Sequence, residues 1–133
     1  MDLKNFQDGT LCHINFTDMR GSEINSIHLA VLFNIPGIET LAFCVPLTSP
    51  KLKHFKTEQD FIERNYLETK SFRIHYIKQT DSIALLEQLK SISTDRIENY
   101  YKNEDNKIVV LNDAEKEFLR KKIMKYMRYV LYK

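Results

Sequence analysis

The sequence has only 3 Gly and 3 Pro among its 133 residues, and it has no Trp, an absence that decides nothing about the fold. So few Gly and Pro residues exclude a collagen-like or low-complexity chain. No apolar run approaches the ~18 residues of a membrane-spanning helix, so we expect no membrane partner. Twenty basic and 18 acidic residues give a net charge of +2. That balance is too small to indicate a nucleic-acid-binding protein by itself.

The two cysteines, Cys12 and Cys44, are too few for a disulfide framework. The four histidines are scattered and lack the spacing of zinc ligands. Residues 1–4 do not resemble the start of a signal peptide. We therefore expect reduced thiols, no metal or other cofactor, and a cytoplasmic protein.

With 43% hydrophobic and 29% charged residues, the chain has the composition of one globular domain over residues 1–133. Pro36 and Gly37 form a strong turn signal between two nearly continuous apolar runs, 27–33 and 40–47. These runs are expected to pair as a hairpin, and their continuous hydrophobicity predicts burial on both faces.

Other segments complete a mainly β plan that a C-terminal helix closes. Residues 83–91 are ambiguous, because their composition favours a helix while their apolar positions also fit a buried strand. A helix is expected at 114–129, capped by Asn112 or Asp113. Its apolar stripe from Phe118 to Val130 is expected to lie in the core. Further strands are predicted at 10–16, 71–77 and 107–111, a long loop at 17–26 and a short helix at 57–64.

Three motifs, in order along the chain, resemble the MazF/PemK family of toxin endoribonucleases. Residues 9–16 (GTLCHINF), 21–23 (GSE) and 28–32 (HLAVL) resemble the opening G-D-V-x-x-V-D-F, G-S-E-Q and R-P-V-L-V of that family. Residues 45–49 (VPLTS) resemble its V-x-P-L-T-S strand end, and 82–92 with 95–96 resemble S-V-x-L-L-E-Q-I-R-T-I-D-x-x-R. Residues 48–51 (TSPK) also resemble the T-S-P-K turn of ToxN-type toxins.

The resemblance implies a fold and an activity. The fold is an SH3-like, strongly curved antiparallel barrel (PemK/CcdB-like) with external helices, in which residues 83–91 form a strand. The activity is metal-independent cleavage of single-stranded RNA, in which the ribose 2′-OH is the nucleophile and the products carry a 2′,3′-cyclic phosphate and a 5′-hydroxyl. The implied partners are RNA, a protein or RNA antitoxin, and a second copy of the chain in a homodimer.

The resemblance also indicates site residues. The catalytic candidates are His28, which stands where the family has arginine, and the hydroxyls of Thr48 and Ser49. The candidates for RNA binding are Arg20, Glu23, Lys51, Lys53 and Gln88. Because histidine replaces the arginine, a catalytically inactive RNA- or protein-binding module on the same fold stays open as an alternative. A gyrase poison similar to CcdB, also on this fold, is the second alternative.

Overall fold

The computed structural model describes residues 6–17, 26–49 and 74–132. The predicted helix at 57–64, most of the predicted loop at 17–26 and the first part of the predicted strand at 71–77 lie outside these residues. Within them, no helix is both long and apolar enough to cross a membrane.

Seven strands and one α-helix make up the regular structure of the described residues. The strands are β1 (Thr10–Asn15), β2 (Ile27–Ile35), β3 (Ile38–Thr48), β4 (Ile74–Ile77), β5 (Ser82–Leu85), β6 (Lys90–Ser93) and β7 (Ile97–Tyr100), and the helix is α1 (Asp113–Tyr132). This confirms the predicted mainly β (α+β) class with a C-terminal helix.

The strands form one antiparallel sheet in the order β4-β5-β3-β2-β1-β7, and β6 also pairs with β3. The terminal strands of this order, β4 and β7, are not paired with each other within the described residues, so the sheet is not closed there. The SH3-like barrel therefore stays a prediction.

The predicted hairpin is confirmed as β2 and β3, which pair from Ala30 with Pro46 to Ile35 with Ile38. The turn residue Gly37 has φ +80°, a backbone angle that glycine adopts at little cost. Both faces of the hairpin are buried, as its apolar run predicts. One face packs under α1, and the other packs against residues of β1, β6 and β7.

The predicted strand at 83–91 is confirmed in part: its two ends belong to β5 and β6, but a 3₁₀ turn at Leu86–Gln88 divides it. Both pieces run beside β3, but Leu47 pairs with Ala84 whereas Cys44 pairs with Lys90. Moving three residues along β3, from Leu47 to Cys44, therefore corresponds to moving six residues along the neighbouring segment, from Ala84 to Lys90. The 3₁₀ turn contains the three extra residues. Leu86 is fully buried in the cluster under α1, so core packing and the local helix preference both favour this turn.

The predicted strand at 107–111 is wrong. Its backbone hydrogen bonds alternate between two different segments. The Val109 carbonyl accepts a hydrogen bond from the Leu11 N–H, and the Val109 N–H donates one to the Tyr101 carbonyl. Only the isolated bridges of Val110 with Thr10 and of Ile108 with Lys102 result. Because residues 107–111 bond alternately to β1 and to the segment after β7, they form no continuous strand pairing with either.

Helix α1 begins where its sequence predicts, since the Asn112 side chain accepts a hydrogen bond from the backbone N–H of Glu115 at 2.8 Å. Its predicted core stripe is partly wrong. Leu119 is fully buried, but Phe118 is 60% exposed and Val130 is 50% exposed. A 20-residue helix is about 30 Å long, and the core under it covers only part of that length.

Leu119 therefore makes the deepest contact of α1 with the sheet. We expect Leu119→Ala to lower the free energy of unfolding by about 2–5 kcal/mol, because a cavity would replace the buried side chain. Met124→Ala on the same helix should cost less than about 1 kcal/mol, since Met124 is 70% exposed. Urea unfolding of the two variants measures both values, and equal losses would contradict this account of the helix packing.

His75 is buried between β4 and α1. Burial, with a smaller contribution from the positive charge of Lys122, lowers the pKa of its imidazole to about 4. The unfolded chain takes up a proton on this ring near pH 6.5, so between pH 6.5 and 4 the unfolded state binds more protons than the folded state. The free energy of unfolding should therefore fall as the pH drops through this range.

The His75 contribution to that fall should reach at most roughly 3 kcal/mol, at about 1.4 kcal/mol per unit of pKa. His75→Leu should remove it, while the titration of carboxyl groups continues in both proteins. Unfolding measured at several pH values between 4 and 7 checks this. If the curves of the wild type and the variant run parallel, His75 is not kept neutral by burial.

Candidate active site

A cleft opens where the pairing of β2 with β3 ends. The last pair is Ala30 with Pro46. Two residues farther on lie His28 and Thr48, which share one face of the hairpin because side chains alternate along a strand. The cleft has a volume of about 270 Å³. Its lining residues are His13, Ile27, His28, Leu29, Leu47, Thr48, Ser49 and Ser82.

The structure thus brings the three predicted catalytic residues, His28, Thr48 and Ser49, to one cleft. His28 is half-buried, and its Nδ1 is buried without a hydrogen-bond partner among the described residues. A buried imidazole nitrogen without a partner costs free energy, typically about 1–3 kcal/mol. The Nδ1 atom of His28 therefore makes no structural hydrogen bond to the described residues.

His13 is a cleft residue that the sequence does not reveal. Strand β1 lies between β2 and β7, and this register places His13 beside Leu29 on one side and Asn99 on the other. Because His28 pairs with Ile14, the two imidazoles leave the sheet on opposite faces, and the cleft at the end of the hairpin is lined by both. The His13 Nδ1 lies 2.8 Å from the Asn99 Oδ1. An amide oxygen only accepts hydrogen bonds, so Nδ1 is the donor in this contact, and Nε2 has the lone pair whenever the ring is neutral. His13 is therefore oriented as a proton acceptor.

The hydroxyl groups differ in their availability. Thr48 is half-buried and Ser49 is exposed, both at the end of β3. Ser82 is buried, and its hydroxyl donates to the Thr80 carbonyl at 3.1 Å. Thr48 and Ser49 are thus the better placed donors for a ligand in the cleft.

Of the remaining predicted site residues the structure describes only Gln88, which is not among the described residues that line the cleft. Gln88 lies half-buried on the 3₁₀ turn between β5 and β6. The other four, Arg20, Glu23, Lys51 and Lys53, lie outside the described residues.

Arg96, part of the third motif, has a structural role at the end of β1. Its Nη1 donates to the carbonyls of Asn15 and Thr17, at 2.9 Å each. The side chain of Asn15 donates in turn to Glu98 at 3.1 Å. These bonds fix the chain up to Thr17, where the predicted loop that carries Arg20 and Glu23 begins.

The cleft offers imidazole and hydroxyl groups rather than a metal-binding set. None of its described lining residues is Asp, Glu, Lys or Arg. In the described part of the chain, no three His, Cys, Asp or Glu side chains are grouped so that they could hold a metal ion. Cys12 and Cys44 are free thiols in the core, and burial raises the pKa of each to about 12. They are therefore protonated at neutral pH and do not act as nucleophiles.

Comparisons with known proteins neither support nor oppose the resemblance found in the sequence. Neither the scan against protein-family models nor the search of curated proteins finds a match to this chain.

Proposed function

We propose that the chain is a metal-independent endoribonuclease that cleaves single-stranded RNA, as its resemblance to the MazF/PemK family implies. The observation that carries the proposal is that two imidazoles, His13 and His28, and two hydroxyls, Thr48 and Ser49, line one cleft. These are the groups that phosphodiester cleavage by the ribose 2′-OH requires: a base, an acid and donors to the phosphate.

In the proposed reaction His13 is the general base. Its Nδ1–H bond to Asn99 leaves the Nε2 lone pair to take the proton of the 2′-OH. The 2′-oxygen then bonds to phosphorus, and the bond from phosphorus to the 5′-oxygen breaks. His28 gives a proton to the leaving 5′-oxygen. The products are a 2′,3′-cyclic phosphate and a 5′-hydroxyl.

Thr48 and Ser49 act on the charge that develops on the phosphate. Their hydroxyls lie at the end of β3, whose pairing with β5 at Thr48 and Ile83 holds this strand end in place. A donor that strengthens its hydrogen bond as the five-coordinate phosphorus forms lowers the barrier rather than only binding the substrate. No serine or cysteine nucleophile is needed, because the RNA supplies its own.

The wider expectations of the resemblance belong to the same proposal. The chain would be the cytoplasmic toxin of a toxin–antitoxin pair, a homodimer on an SH3-like barrel, inhibited by a protein or RNA antitoxin. Lys51 and Lys53 would hold RNA phosphates, Arg20 and Glu23 would line the substrate from the predicted loop, and Gln88 would read a base edge.

Single-residue variants test the proposal on a long unstructured RNA in excess EDTA. We expect His28→Ala and His13→Ala each to slow cleavage by about 10²–10⁴-fold, because each removes a positioned acid or base. Thr48→Ala should slow cleavage by about 10²-fold with little loss of RNA binding. His28→Arg should keep some cleavage and change its pH dependence, since arginine stays protonated.

Thr40→Ala is the matched control for Thr48→Ala, because Thr40 is exposed at the other end of the same strand and should leave cleavage unchanged. Full activity in both histidine variants would overturn the assigned roles. RNA that is bound but never cleaved would favour the inactive binding module. Absence of both binding and cleavage, with gyrase inhibition, would favour a gyrase poison similar to CcdB.

A further inference from the structure

A second cavity, of about 470 Å³, lies between β4 with the turn that follows it and the first turns of α1. Its walls include His75, Lys78 and Gln79 on the sheet side, and Asn112, Glu115 and Phe118 on the helix side. None of these residues lines the cleft of His28 and Thr48. The cavity is therefore a separate feature with its own chemistry.

Phe118 gives this cavity an aromatic wall. Its neighbour Leu119 makes the core contact of this helix turn, while the Phe118 side chain remains 60% exposed. Core packing thus does not account for an aromatic ring here. An exposed ring at the wall of a cavity offers a face on which a flat ligand stacks.

Glu115 gives the cavity a carboxyl group that can accept hydrogen bonds. Burial raises the pKa of its carboxyl group, and the positive charge of Lys78 partly opposes that shift. The backbone N–H of Glu115 is already used by the Asn112 side chain. Because the helix start is capped and carries an acidic group, it does not favour an anion such as phosphate. A carboxylate accepts hydrogen bonds through two oxygens and suits a ligand with two adjacent N–H donors.

His75 supplies a neutral, buried wall. It is 5% exposed, and its Nδ1 is buried with no hydrogen-bond partner in the part of the chain that the structure describes. Buried polar atoms in folded proteins usually have a hydrogen-bond partner in the protein or in ordered water, so this nitrogen is open to a water or ligand atom in the cavity. At neutral pH the ring carries no charge, since burial lowers its pKa to about 4. The sheet side of the cavity therefore combines this ring with the Gln79 amide and the Lys78 ammonium group.

We propose that this cavity binds a guanine base, with the ring stacked on Phe118 and the N1–H and N2–H₂ donors of its Watson–Crick edge on the Glu115 carboxylate. Guanine is the base that places two N–H donor groups side by side on that edge; adenine and cytosine place a donor next to an acceptor. The volume of the cavity lies within the usual range of small-molecule sites, about 300–1,000 Å³.

As part of an RNA substrate, the guanine would belong to a nucleotide near the scissile phosphate, and this role rests on the proposed ribonuclease function. Ser82 lines the cleft and pairs with Ile77, whose neighbours Tyr76 and Lys78 line the cavity. Paired residues are about 5 Å apart and sequence neighbours 3.8 Å, so the two features approach within about 10 Å at this hairpin. A single strand of RNA spans that distance in a few nucleotides. The cavity would thus select a base within a few nucleotides of the cleavage position.

Binding of mononucleotides tests the site without any cleavage. The full chain is titrated with the 5′-monophosphates of guanosine, adenosine, cytidine and uridine, and the affinity is measured by calorimetry and by NMR shifts of the Phe118 ring. We expect guanosine monophosphate to bind at least 10-fold more tightly than the other three. Glu115→Gln should abolish this preference, because the amide presents a donor to the guanine donors, and Phe118→Ala should weaken all four nucleotides.

Glu117→Gln is the matched control, an exposed acidic residue on the same helix that does not line the cavity, and it should bind as the wild type does. Equal binding of the four nucleotides, or a guanosine preference that survives Glu115→Gln, would overturn the guanine site. Binding measured on His28→Ala separates the two proposals. A guanosine preference without RNA cleavage by the wild type would support the guanine site and contradict its role in substrate recognition. RNA cleavage without guanosine binding would contradict the guanine site alone.

Discussion

Burial of both faces of the β2–β3 hairpin is the constraint on which the rest of the structure depends. One face, with Val31, Val45 and Leu47, packs under α1, and the other, with Ala30, Leu32 and Cys44, packs against β1, β6 and β7. Two buried faces require cover on both sides, so the helix and the flanking strands must all be in place for the hairpin to be stable. The hairpin also sets the positions of chemically active groups, because these lie where its pairing stops.

The two cavities follow from the ends of the elements around this core. The cleft of His28 and Thr48 opens just past the last pair of β2 and β3, where the strands no longer hold each other. The second cavity opens where α1 begins against β4. The short β4–β5 hairpin contributes Ser82 to the lining of the cleft and Lys78 to the lining of the second cavity, so it connects these two sites. A substrate that reached both would be read within a few nucleotides of the position at which it is cut.

The sequence predicts those parts of the fold that depend on local pattern, and misses those that depend on tertiary neighbours. Pro36 and Gly37 indicate the hairpin, and the capping residue Asn112 indicates the start of α1. His13 is missed because its role depends on which strand lies beside β1, and the orienting Asn99 is 86 residues away. Phe118 is misassigned to the core because periodicity gives the apolar face of a helix but not how much of it the sheet covers. The break at Leu86–Gln88 arises because a buried leucine and local helix preference outweigh strand continuity.

In the proposed ribonuclease reaction the RNA 2′-OH, assisted by the groups of the cleft, is the nucleophile. The most direct test is cleavage, in EDTA, of an RNA oligonucleotide with a single 2′-deoxy substitution on the 5′ side of the mapped cut. We expect cleavage at that position to disappear while binding and any cuts elsewhere persist, and the unmodified RNA to yield a 2′,3′-cyclic phosphate. Continued cleavage at the 2′-deoxy position would show that water or a protein group attacks instead, and would contradict the mechanism.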